Sequence, residues 1–68
     1  MPYAANSDLP PPVRRVLPAH AQDIYRKAFN HAFAAYGAQD GGEERAHRIA
    51  WAAVKRSYRK VGDVWVAR

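Results

Sequence analysis

Between Ala21 and Tyr36 the apolar residues Ala21, Ile24, Tyr25, Ala28, Phe29, Ala32, Phe33 and Tyr36 recur every three or four positions. At about 100° per residue they fall within one half of a helical wheel, while Asp23, Arg26, Lys27, Asn30 and His31 occupy the other half. A helix with such a stripe must bury it, and only 68 residues are available to do so. The chain is therefore read as one domain spanning residues 1–68, built around a single small core.

Proline and glycine divide the rest. Pro10, Pro11 and Pro12 disfavour helix in the residue that precedes each, so 9–11 should be extended. A short helix can open at about Pro12, where proline sacrifices no intrahelical bond, and must end by Leu17, ahead of Pro18. Leu9, Val13, Val16 and Leu17 form its apolar side. The second helix should run over 18–36 and stop at a left-handed Gly37. Residues 37–42 read as a loop, in which Asp40 and Glu43 have the spacing of a cap and counter-cap. The third helix is expected over 43–59, with Ala46, Ile49, Ala50, Ala53, Val54 and Ser57 inward. Its polarity is favourable, with Glu43 and Glu44 at the start and Arg56, Arg59 and Lys60 at the end. A short connection favours antiparallel packing of the two long helices. After Gly62-Asp63, the run Val64-Trp65-Val66 favours a strand, and its expected partner is Met1 to Ala4, with Tyr3 beside Trp65. The predicted fold is mainly α: one short helix, two long antiparallel helices, and a two-stranded ribbon pairing the termini.

Eleven Lys and Arg against six Asp and Glu give a net charge of +5, which favours anionic partners without choosing among them. No cysteine is present, which excludes disulfides and thiolate zinc sites. Apolar residues nowhere continue for the roughly 18 needed to span a bilayer, and the reading is of a soluble, cytoplasmic protein. His20, His31 and His47 do not share a face. Only His20 and Asp23 form a close pair, too few ligands for zinc, so no metal or cofactor is expected, and His20 is assigned to finishing the opening turn of the second helix. The carboxylates sit mostly at helix starts or in loops, and no phosphate loop or activated nucleophile is evident, so no enzyme is expected.

The candidate site is the outer face of the third helix. Arg45, Arg48, Lys55, Arg56 and Arg59 project into a sector of roughly 100° around Ala52, uninterrupted by acids, where they could follow a row of phosphates or meet an acidic protein. The plainer reading is a solvated surface. Trp51 lies at its border, either as an aromatic anchor for a partner or as a lid over the core.

Two blocks carry a family resemblance. Leu9-Pro10 and the run Val16-Leu17-Pro18-Ala19-His20-Ala21-Gln22-Asp23-Ile24-Tyr25, with Ala28-Phe29-Asn30, are followed by Ile49-Ala50-Trp51-Ala52-Ala53-Val54-Lys55 and Tyr58. In that order they resemble the ChaB family, from Met1-Pro2-Tyr3 to about Trp65. The resemblance implies a non-catalytic cytoplasmic regulator of cation transport that acts through a protein partner, a cation/proton antiporter or its complex. The chain departs from the family pattern at Ala19, where serine is common and would cap the second helix, a loss of about 1 kcal/mol. It also lacks the acid-rich insert that relatives carry between the long helices. A nucleic-acid-binding protein using the basic face, or a structural component of a larger particle, remains an alternative reading of the residues.

Overall fold

The computed structural model describes residues 3–68. After a 3₁₀ turn at Asn6–Asp8 come α1 (Pro11–Val16), α2 (Ala19–Tyr36), α3 (Gly42–Ser57), β1 (Tyr58–Val61) and β2 (Val64–Ala67). The long helices run antiparallel. Contacts that rise along α2 descend from the start of β1 along α3: His20 faces Tyr58, Tyr25 meets Trp51, Phe29 meets His47, and Tyr36 lies under the Arg45 guanidinium.

Prolines set the first boundaries, with α1 opening at Pro11, one residue ahead of the expected start. Pro11 and Pro12 occupy the opening turn of α1, whose Val13 joins Leu9 and Leu17 in the core. The end of α1 is fastened to α2 by the Gln22 amide, whose Nε2 donates to the Leu17 carbonyl at 2.8 Å. Pro18 precedes α2 with no side chain capping it. His20 is exposed and does not finish that turn; its ring lies 6.3 Å from that of Tyr58.

The core follows the apolar stripe of α2. Ala21, Tyr25, Phe29 and Ala32 are buried, with Ala46, Ala50 and Val54 of α3 opposite and Tyr58 beyond. Alanine at these facing positions lets the helices approach, leaving room for the Tyr25 and Phe29 rings between them. The inward stripe of α3 is rotated from the expected one: Ile49 and Ser57 are exposed, while His47 and Trp51 are half-buried. The aromatic volume of Tyr25 and Phe29 accounts for the rotation, because His47 and Trp51 pack on these rings at 4.6 to 6.0 Å. The Tyr25 hydroxyl is hydrogen-bonded to His47 Nδ1. Burial, reinforced by Tyr3, pushes the Tyr25 hydroxyl up to about 12, so the phenol keeps its proton at neutral pH. Burial in turn lowers the His47 pKa from its ordinary 6.5.

The turn between the long helices differs from the expected one. Gly37 keeps helical angles (φ −60°, ψ −26°) and Asp40 does not cap α3; the cap is Gly41, left-handed at φ 73°. Gly42 then comes so close to the end of α2 that a Cβ would overlap the Tyr36 carbonyl. A cap at Asp40 would move α3 away from that approach.

The ribbon is present, but its partner strand is not the N-terminus. β2 pairs with β1, from Tyr58 opposite Ala67 to Val61 opposite Val64. Gly62 takes φ 61° and Asp63 has no positive φ, which fits the two-residue hairpin turn that puts glycine first. A hairpin between adjacent segments closes with far less loop entropy than a pairing of the two chain ends. The helix accordingly ends at Ser57, and Tyr58 turns extended and inward.

Of the segment expected in the ribbon, Met1 and Pro2 lie outside the described residues, and Tyr3 and Ala4 are in no strand. Tyr3 packs instead on Phe29 at 4.8 Å, and Trp65 on Trp51 at 5.4 Å. The polar half of α2 holds the N-terminal segment in place. Asn30 accepts from the Tyr3 amide at 2.8 Å and donates to the Tyr3 carbonyl at 2.9 Å. Asn6 donates to Asp23 at 2.7 Å and accepts from Arg26 at 2.8 Å. The Asn6 bond, more than the neighbouring Arg26 and Lys27 charges, lowers the Asp23 pKa.

Two outcomes follow for stability. Asn30→Ala removes both bonds to Tyr3, so a loss of about 1–2 kcal/mol should lower Tm by roughly 5–15 °C in a domain this small; the exposed neighbour His31→Ala should leave it nearly unchanged. Equal melting of the two variants would mean that the segment is not held on α2. Because the folded pKa of His47 lies below its unfolded value, the unfolded chain binds the proton first on acidification. Stability should decline as pH falls below about 6.5, and His47→Gln should flatten that decline in urea titrations at pH 7, 6 and 5.

Candidate functional site

α3 carries most of the candidate site because its inward residues are small and apolar and its remaining positions are left to solvent. Arg45, Arg48, Lys55, Arg56 and Arg59 are all exposed. They do not form one uniform row. Arg45 to Arg56 extends about 16 Å along α3 at 1.5 Å per residue, but Arg59 lies beyond the helix, on β1, in register with Val66. Arg45 is drawn over the Tyr36 ring, 4.2 Å from its centre. Arg48 meets Glu44 at 3.4 Å, one turn earlier, so an acid does interrupt the edge of this face. Both side chains are well exposed, and such a pair contributes only about 0.3–0.5 kcal/mol. Among the described residues the charged ends of Lys55, Arg56 and Arg59 form no ion pair.

Trp51 occupies the margin of this face. It stands edge-on to Tyr25, 5.2 Å away, and lies at 32° to Trp65. Its other side opens onto a cleft of about 520 Å³ lined by Val16, Lys55, Lys60, Asp63 and Trp65. Trp51 thus covers the core and presents an edge to solvent at once. The C-terminus closes the neighbouring helix end: Arg68 donates from Nε to the Lys55 carbonyl at 2.8 Å and from its backbone to Ser57 at 2.9 Å.

A second cleft, of about 650 Å³, runs between the long helices on the side away from the N-terminal segment. Ile24, Ala28, Ile49, Ala52 and Ala53 form its floor, and Lys27, His31 and Arg56 stand at its rim. Helical periodicity, which assigns Ile49 inward, conceals this cleft. The available signal was Ala52, which lies within the basic sector and here forms part of an apolar floor.

No group of three or more His, Asp or Glu among the described residues could hold a metal ion. No helix among them is long and apolar enough to cross a membrane. The geometry offers exposed cations beside apolar clefts, an arrangement suited to binding.

Comparison with known proteins places this architecture. The family model described as ChaB matches residues 9–68. The chain is 51% identical to a protein named "Putative cation transport regulator ChaB" in Escherichia coli K12, over 93% of this chain and 91% of that one, and equally to its counterpart in Shigella flexneri. A solution NMR structure of a protein of that name superposes with a TM-score of 0.86 at 47% identity, covering 98% of this chain and 99% of the other. With the sequence blocks, the helical pair and the C-terminal ribbon in agreement, the chain belongs to the ChaB family.

Proposed function

We propose that this protein is a non-catalytic, cytoplasmic binding protein that regulates cation transport by docking the basic surface of α3 onto an acidic surface of a protein partner, a membrane cation antiporter or its complex. The observation that carries this reading is the set of exposed cations Arg45, Arg48, Lys55 and Arg56 on α3 with Arg59 beside them, of which all but Arg48 form no ion pair among the described residues. A cationic patch speeds association with an acidic partner and disfavours basic ones. Trp51, half-buried beside Lys55, supplies the aromatic edge that interface centres favour. The relatives' name supports the transport side of the proposal.

The same cations, about one helical turn apart or closer along part of α3, support nucleic-acid binding as a second reading. Affinity capture with nuclease treatment separates the two. The expected result is a protein partner retained after nuclease and lost at least tenfold when Arg48, Lys55 and Arg59 are all changed to Glu, with helical circular dichroism unchanged. Capture that vanishes with nuclease, and duplex binding whose log affinity falls by about 0.9 per phosphate contact against log salt, would transfer the basic face to the second reading.

A further inference from the structure

The cleft between α2 and α3 has a chemistry that specifies its occupant. Its floor is a trough of small residues, Ala28, Ala52 and Ala53, bounded by Ile24 and by Ile49, which is 37% exposed. An isoleucine with more than a third of its surface exposed at the wall of such a trough forgoes burial that a partner could supply. The rim carries only cations and a histidine: Lys27 and His31 one turn apart on α2, and Arg56 on α3, all exposed. Among the described residues no carboxylate lines the cleft. The other sides of α2 are already covered, by α3 and by the N-terminal segment held through Asn30, Asp23 and Arg26.

A trough between two antiparallel helices has the shape that receives a third helix. We propose that it binds an amphipathic helix of a protein partner, with aliphatic residues at i, i+3 or i+4, and i+7 against Ile24, Ile49 and the alanines, and with Asp or Glu flanking that stripe to meet Lys27 and Arg56. A cationic stripe would be repelled by the same rim. The proposal deepens the binding-protein reading above by giving the partner's chemistry, and it shifts the contact from the outermost edge of α3, at Arg48 and Lys55, to the side that carries Ala52 and Arg56.

The test titrates two designed 18-residue helical peptides into the isotopically labelled chain and follows backbone NMR shifts. Both carry leucine on the apolar stripe; one is flanked by Glu, the other by Lys. The Glu peptide should perturb residues around Ala28, His31, Ile49, Ala52 and Arg56, and bind at least tenfold more tightly than the Lys peptide. Ile49→Asp, checked for an unchanged helical spectrum, should weaken it at least tenfold, and Arg15→Ala, at an exposed position on α1, by less than threefold. Absence of shifts in the cleft, equal binding of the two peptides, or indifference to Ile49→Asp overturns the proposal. So does concentration-dependent self-association that Ile49→Asp abolishes, since the occupant would then be a second copy. Shifts confined to Arg45, Arg48 and Lys55 also overturn it while leaving the binding-protein reading intact; failure of partner capture in the preceding experiment removes that reading itself.

Discussion

The packing of Tyr25 and Phe29 against an alanine-rich helix is the interaction on which the rest of the structure depends. Both rings are fully buried, and Ala46 and Ala50 of α3 are buried with them. Large side chains from one helix and small ones from the other fix both the distance between α2 and α3 and their rotation. His47 and Trp51 are thereby turned onto the rings and Ile49 is turned away. Gly42 holds the same distance at the other end, where no side chain would fit beside Tyr36. Truncating a buried aromatic typically costs about 3–5 kcal/mol, comparable to the whole stability of a core this size.

The second structural element is polar. A short chain without disulfides gains from tying its N-terminal segment to a helix, and here paired asparagine contacts do so. Asn30 engages both backbone groups of Tyr3, and Asn6 lies between Asp23 and Arg26. These bonds also deliver the Tyr3 ring to Phe29, so the segment closes the core on the face that helical periodicity marks as solvent. At the opposite end, Arg68 and the hairpin close the last turn of α3, and Tyr58 extends the core beneath them.

This arrangement leaves α3 free on its outer surface. With the inward side filled by alanine and valine, its cations stand in water at the border of two apolar clefts, one beside Trp51 and Trp65 and one centred on Ile49 and Ala52. Cationic rims around apolar floors favour acidic, amphipathic partners over purely anionic ones, because the floor contributes burial that a phosphate backbone cannot supply.

Much of the molecule was legible in the sequence because local signals act over a few residues. Pro12 and Pro18 mark helix starts where their missing donors cost nothing, the stripe from Ala21 to Tyr36 identifies the buried side of α2, and β-branched residues with Trp65 mark the final strand. The exposure of the cations was legible too, since charge is expensive to bury. Tertiary structure decided the rest. Whether Ile49 or His47 faced inward depended on ring volumes on another helix; whether Val64 to Val66 met Tyr3 or Tyr58 depended on the lower closure entropy of an adjacent hairpin. The polar side of α2 became a docking face because Asn30 and Asn6 found partners in a distant segment, and wheel periodicity carries no information about such pairings. The cleft beside Ile49 exists for the same reason: it is the space left between two helices once the aromatic core has set their rotation.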